Sequence, residues 1–172
     1  PTAQLVGRRA GHDPTREGSG NPGASNVYRT AGRRAGALVL LGDLVKGALP
    51  TALALAASGR WLAGWCWLAA VGGHVLPLWR PRRGGKGVAT AAGVLFALDP
   101  WLGAAVLATW LCIAFASRYS SLAALVAAAC APRYAFLCWG GDKLIIAVGV
   151  IAMALIGKHW GNLQRLMAGT EP

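Results

Sequence analysis

Six apolar stretches, each parted from the next by a few polar residues, dominate this chain: Gly36 to Ala57, Trp61 to Trp79, Val88 to Leu98, Trp101 to Ala116, Ser120 to Trp139 and Asp142 to Gly157. So many apolar runs in 172 residues leave too little polar surface to clothe a water-soluble core, and only 13% of the residues are charged, against about 25% in ordinary soluble domains. The pattern predicts an all-α, polytopic transmembrane helical bundle. A spanning helix needs about 20 residues; the first, second and fifth stretches reach that, and the fourth and sixth are marginal. Val88 to Leu98 covers only about 16 Å at 1.5 Å per residue, so it is expected to tilt among its neighbours or to re-enter. The breaks are Ser58-Gly59-Arg60, Trp79 to Gly87, Asp99-Pro100, Ser117-Arg118-Tyr119, Pro132-Arg133 and Gly140-Gly141. All are short, which predicts a single domain: a basic, glycine-rich segment over 1–35, transmembrane helices over 36–157 and a polar C-terminal segment over 158–172.

The formal charge is +11, yet the basic residues fall between apolar runs rather than on a soluble scaffold, so nucleic acid is not the expected partner. Four cysteines, at 66, 112, 130 and 138, lie in or beside apolar runs. With no Cys-x-x-Cys pair and no His at ligand spacing, they read as packing or lipid-facing residues and no metal site is expected. Pro1 to Asn26 is polar and basic and does not read as a secretory signal. Loops on the cytoplasmic side of membrane proteins carry the excess of Lys and Arg. If Val88 to Leu98 counts as a crossing, one side holds thirteen basic residues, including Arg29, Lys86 and Arg165, and the other holds three, Arg60, Arg133 and Lys143. That asymmetry places both chain ends and both glycine-rich segments in the cytoplasm.

Two of those segments have the chemistry of anion sites. In Gly18-Ser19-Gly20-Asn21-Pro22-Gly23-Ala24-Ser25-Asn26 the glycines let successive backbone N–H groups turn toward one point, and Asn21, Ser25, Asn26 and Arg29 add donors and charge. Gly84-Gly85-Lys86-Gly87-Val88-Ala89-Thr90 pairs close backbone approach with a Lys and with the start of a helix, whose N-terminus favours anions. It lacks the Gly-x-x-x-x-Gly-Lys-Ser/Thr spacing of a nucleotide loop. Asp43 and Lys46 share a face of the first apolar stretch. Each costs about 2.5 to 3.5 kcal/mol at mid-helix, against about 0.3 to 0.6 kcal/mol returned by each Leu or Val, so the face should turn inward, as an ion pair or toward a polar site. His159, Asn162 and Arg165 recur every three residues and line one face if the last helix continues. A His there suits proton transfer, an Asn orientation and an Arg bidentate phosphate binding. His74 reads either as a supporting polar residue or as an interfacial histidine, and His12 suggests no role.

Taken in order, these segments resemble the bacterial acyl-phosphate:glycerol-3-phosphate acyltransferase family, integral membrane enzymes of phospholipid synthesis. The resemblance runs over nearly the whole chain. It is carried by Gly18 through Asn26 with Arg29, by Asp43-Leu44-Val45-Lys46-Gly47, by Gly73-His74-Val75-Leu76-Pro77 leading into Gly84 through Thr90, by Arg118-Tyr119-Ser120-Ser121-Leu122, and by His159 to Asn162 with Arg165, Leu166 and Gly169-Thr170-Glu171. It implies a seven-helix fold in a bacterial inner membrane, with an active site open to the cytoplasm. It further implies acyl phosphate as donor, sn-glycerol-3-phosphate as acceptor, lysophosphatidic acid as product, no metal or cofactor, and a separate soluble phosphate acyltransferase supplying the donor. Because Pro1-Thr2-Ala3-Gln4-Leu5-Val6 resembles the region after the family's first helix, that helix is expected to be absent from this chain.

By the same resemblance Ser19, Arg29 and Lys86 bind phosphate groups, and His159 and Asn162 lie near the glycerol hydroxyls. The full set expected at the site is Ser19, His159 and Asn162 at the reacting atoms; Gly18, Gly20, Asn21, Gly23, Asn26, Arg29, Lys46, Gly84, Gly85, Lys86, Gly87 and Arg165 around phosphate; and Asp43 and His74 in support. An acyl phosphate is an activated anhydride, so positioning and charge neutralisation carry much of the catalysis. Either His159 or an oxygen of the donor's phosphate takes the hydroxyl proton, and the second is favoured because no carboxylate partner for His159 is visible. The rival reading is a membrane transporter of a phosphorylated solute, which would be expected to show internal repeats; none is evident.

Overall fold

The structure, a computed structural model, describes residues 2–76 and 84–171. The end of the second apolar stretch at Trp79, Pro77 of the third motif, and Arg80, Arg82 and Arg83 of the charge count lie outside the described residues. Within them there are seven helices and no strands: α1 (Thr2–Arg9), α2 (Ala24–Val75), α3 (Val88–Leu98), α4 (Pro100–Ser117), α5 (Ser120–Trp139), α6 (Leu144–Lys158) and α7 (Trp160–Met167). α2, α4 and α5 are long and apolar enough to cross a membrane, and α6 with α7 makes a further bent pair at 54°.

As one rod, the 52 residues of α2 would extend about 78 Å, far beyond a hydrocarbon core of about 30 Å. The backbone leaves helical geometry at Gly32 and Gly59, both at positive φ (87° and 77°). A residue without a Cβ reaches that region at no steric cost. The chain reverses at Gly59, since Lys46 on one side bonds His74 on the other. The break expected at Ser58-Gly59-Arg60 is therefore real. Another differs from expectation. α5 runs unbroken through Pro132, because a proline removes only one backbone donor and packed neighbours hold the helix across it; the Tyr134 hydroxyl, two residues on, meets Thr109 Oγ1 of α4 at 2.8 Å. The basic, glycine-rich segment over 1–35 holds α1 and the start of α2, and α1 packs Ala3 against Val27, Ala35 and Val39 of α2, a small core that a short polar-looking stretch does not advertise.

The molecule is apolar outside, and inside it small residues line one helix seam beside a core of larger apolar side chains. Trp101 and Phe115, at opposite ends of α4, are 82% and 81% exposed, the placement of a lipid-facing helix with aromatic anchors at both interfaces. Ala123, Ala127, Ala131 and Ala135 of α5 form a buried seam at four-residue spacing, which lets backbones approach closely where lipid removes the hydrophobic drive for association. The main core joins Trp67 and Val71 of α2, Val94 and Leu98 of α3, Leu102 of α4, and Val148, Ile151 and Leu155 of α6.

Short as it is, α3 links the two ends of the bundle. Gly87, at its start, adjoins Val71, His74 and Val75. Asp99, at its end, caps α4 through Trp101 N (2.9 Å) and Leu102 N (3.2 Å) and accepts Trp139 Nε1 at 2.8 Å. Arg60 lies over the Trp139 ring at 4.8 Å and 3.9 Å from Asp142. Gly59, the α3–α4 turn and the α5–α6 turn thus share one end, and the glycine-rich segments share the other.

Candidate active site

The first glycine-rich segment is held from within by its own asparagine. Asn26, 1% exposed, accepts Ser19 N at Oδ1 (2.9 Å) and donates from Nδ2 to the carbonyls of Pro14 (2.9 Å) and Glu17 (3.0 Å). Gly18, at φ 59°, packs so tightly on the Asn26 amide and on Thr30 Cγ2 that a Cβ has no place there. Upstream, Asp13 Oδ1 accepts Thr15 N (3.0 Å) and Thr15 Oγ1 (2.6 Å), an Asx turn. Glu17 accepts Asp13 N (2.9 Å) and meets His12 Nδ1 at 2.7 Å. His12 therefore acts structurally, by helping to close the turn that presents Thr15 and Arg16. Replacing Asn26 by Ala deletes three backbone contacts at about 1 kcal/mol each, so Asn26→Ala is expected to destabilise the protein by about 3 kcal/mol in detergent unfolding, whereas Ser25→Ala, which loses only a 3.5 Å contact to Ser120 Oγ, leaves it near wild type.

The second glycine-rich segment crosses to the C-terminal helix. Lys86 Nζ donates to Asn162 Oδ1 (2.6 Å), Asn162 Nδ2 donates to Glu171 Oε1 (2.5 Å), and Arg165 Nε donates to Glu171 Oε2 (2.9 Å). Burial pushes the Lys86 ammonium down to about 8; Glu171 opposes that, and Arg165 and Arg29 add to it. Burial by itself would raise the Glu171 carboxyl, but the Ser121 hydroxyl beside it and the donors from Asn162 and Arg165 hold it below the usual glutamate range. The Ser121 approach falls short of a full hydrogen bond, since its buried Oγ has no bonded partner among the described residues.

Between these parts lies a cavity of about 340 Å³. Its wall takes Thr15, Arg16, Ser19, Gly20, Asn21 and Pro22 from the first segment, Gly84 and Lys86 from the second, and Asn162 and Arg165 from α7. Three cations and, among the described residues, no carboxylate face it. Seven of the residues expected at the site are thereby brought together: Ser19, Gly20, Asn21, Gly84, Lys86, Asn162 and Arg165. The others stand behind or beside the wall. Gly18, Gly23 and Asn26 shape the first loop, and Gly85 and Gly87 seat the second on His74 and Val75. Arg29 is exposed on α2, within electrostatic reach of Lys86. Asp43, Lys46 and His74 form a separate cluster, with Lys46 Nζ 2.6 Å from Asp43 Oδ1.

His159 does not line the cavity. The helix fails to continue there; it breaks between α6 and α7, the ring is buried, and Nδ1 lies 2.8 Å from the Leu155 carbonyl. A carboxylate does lie within its electrostatic reach, Glu171, but that group is already bonded to Asn162 and Arg165. Thr15 and Arg16 join the wall without having been expected there. The Asp-Pro-Thr run that makes the Asx turn is the local signal for them; Glu171 stands in the last motif of the resemblance, but its pairing with Asn162 and Arg165 has no local signal, since the tail must first fold back over α7.

Residues 1–169 match the family model described as glycerol-3-phosphate acyltransferase. The chain belongs to that family. It is similar to the glycerol-3-phosphate acyltransferase of Dechloromonas aromatica (strain RCB), 53% identical over 92% of this chain and 81% of the relative, and to that of Thioalkalivibrio sulfidiphilus (strain HL-EbGR7), 49% identical over 99% and 85%. Its fold matches crystal structures of PlsY, an integral membrane glycerol 3-phosphate acyltransferase, in a glycerol 3-phosphate form (TM-score 0.94) and a lysophosphatidic acid form (0.92); both are 35% identical and cover 99% of this chain and 86% of theirs. As a member of this family the protein is a multi-pass membrane acyltransferase, and the transporter reading falls away.

Proposed function

We propose that the whole chain is one acyltransferase domain that moves a fatty acyl group from acyl phosphate to sn-glycerol-3-phosphate in a bacterial inner membrane, releasing lysophosphatidic acid and phosphate. The observation that carries the reading is the cavity wall: Arg16, Lys86 and Arg165 with two glycine-rich backbones, opposed by no carboxylate among the described residues. Two anionic phosphoryl groups held near one another need that much positive charge. The acceptor's hydroxyl oxygen attacks the acyl carbonyl, the carbon–oxygen bond of the anhydride breaks, and phosphate leaves with the electron pair. Ser19 and the backbone of Gly20, Gly84 and Lys86 are suited to bind phosphoryl oxygens. Asn162, its carbonyl oxygen engaged by Lys86, is suited to set the cation against the acceptor.

We assign the proton to an oxygen of the donor's phosphate, because His159 stands off the cavity wall with Nδ1 turned to the Leu155 carbonyl. The thirteen-to-three distribution of basic residues favours a cytoplasmic cavity. A soluble phosphate acyltransferase is the partner this reading calls for. The test is lysophosphatidic acid formation by the detergent-purified protein with palmitoyl phosphate or palmitoyl-CoA as donor. Product from palmitoyl phosphate alone is expected, and product from palmitoyl-CoA alone would refute the donor assignment. His159→Gln should retain turnover within about tenfold, since a general base contributes about 10² to 10⁴; a larger loss in a folded variant would give the proton to the histidine.

A further inference from the structure

The buried charges of α2 take no part in the cavity wall, and their position suits them to a different role. We infer that the Asp43–Lys46–His74 cluster sets the position of the second glycine loop, and through it the placement of Lys86; this rests on the reading of the cavity as the acyl-transfer site. Asp43 and His74 side chains are each only 4% exposed. Lys46 donates to Asp43 Oδ1 at 2.6 Å and also bonds His74 Nδ1. An ammonium has only donors, so Nδ1 is the acceptor and the imidazole proton sits on Nε2. Thr90 Oγ1, 3.4 Å from Nδ1, and Asp43 Oδ1, 3.9 Å away, close the same side of the ring.

The other edge of the ring faces the loop. A Cβ on Gly85 would collide with Nε2, would sit 3.0 Å from Cε1, and would approach the Pro22 carbonyl oxygen at 3.1 Å. His74 is thus a stop on which Gly85 rests, at the point where both glycine-rich segments meet. Lys86 follows at once, and its reach to Asn162 Oδ1 depends on where Gly85 stops. Lys46 orients the ring and Asp43 anchors Lys46, so the three are positioning residues that act through Lys86. The burial cost of a charge in the bundle is thereby tied to a position in the site.

A double-mutant cycle tests this. His74→Leu is expected to lower kcat/KM for glycerol-3-phosphate by about 30- to 100-fold, the loss a displacement near 1 Å can cause. In the Lys86→Ala background it should add almost nothing, whereas with Arg16→Ala, on the opposite wall and paired with Asp13 rather than with the Lys86–Asn162–Glu171–Arg165 network, its effect should multiply, because only coupled residues depart from additivity. His74→Gln, whose amide offers an acceptor to Lys46 and a donor toward Gly85, should recover most of the loss, and serves also if His74→Leu does not fold. Additive effects with Lys86→Ala would overturn the inference, as would unchanged kinetics in a folded His74→Leu protein. The rate of Lys86 acetylation by acetic anhydride, read by mass spectrometry, separates the two readings. A rise in His74→Leu upholds the positioning role even if wild type transfers no acyl group, in which case the acyl-transfer reading fails; an unchanged rate overturns the positioning role.

Discussion

Lys86→Ala is expected to lower kcat/KM for glycerol-3-phosphate by about 10²- to 10³-fold, the loss seen when one preorganised charge-stabilising donor is removed from an active site. The side chain is the only cation contributed by the second glycine loop among the described residues, and it bonds Asn162 across the cavity at 2.6 Å. Its removal deprives the substrates of a charge and leaves the Asn162 carbonyl oxygen without its donor. The pH dependence should carry the same signature. Because burial holds Lys86 down to about 8, the free enzyme loses the ammonium as pH rises through 8, and kcat/KM falls about tenfold per unit above it. Lys86→Arg, which stays charged, should keep partial activity and lose that alkaline limb. Unfolding would not mimic the effect. A lysine whose folded value lies below its ordinary 10.5 binds fewer protons folded than unfolded between about 8 and 10.5, so its contribution to stability rises with pH in that window. Assays of kcat/KM and of thermal unfolding across pH 7 to 10 in the same detergent check both halves.

Gly93→Ala is expected to cost about 3 kcal/mol, the upper end of overpacking penalties, despite the gain of about 1 kcal/mol that Ala brings to a helix interior. α3 lies against α2 with glycines at the contact. A Cβ on Gly93 would fall on the Leu44 carbonyl oxygen, 2.9 Å from its carbon and 3.1 Å from Ala48 N, and one on Gly47 would fall on the Thr90 carbonyl, 3.0 Å from its carbon. These are backbone atoms, so no rotamer change relieves them and the helices must move apart. Since Val88 begins α3 directly after the Lys86 loop, that movement should also lower activity. Gly149→Ala in α6, where a Cβ meets nothing within 4 Å, should be neutral or slightly stabilising. Detergent unfolding of the two variants beside wild type decides it, and an unchanged melting temperature for Gly93→Ala would show that the α2–α3 contact is looser than it stands.

The membrane bundle was legible in the sequence because hydropathy and helix breaks are local. Apolar runs of the required length, the reversal at Gly59 and the shortness of α3 need no knowledge of what packs where. The phosphate character of the two glycine-rich segments was legible for the same reason, since glycine, lysine and asparagine carry their chemistry with them. Which polar groups meet was not legible. Lys86 and Asn162 stand 76 residues apart, Lys46 and His74 stand 28 apart, and Glu171 reaches both Asn162 and Arg165 only after the tail turns back. Asn26 belongs to the loop's interior rather than the cavity wall, and His159 sits at a helix break rather than on a continuous face, because burial and backbone satisfaction decide where such side chains point. By itself, the sequence determined that this protein is a helical membrane protein with two loops of anion-binding character; helix packing alone decided which residues face the cavity, because a side chain's partners are set by the neighbours that close around it.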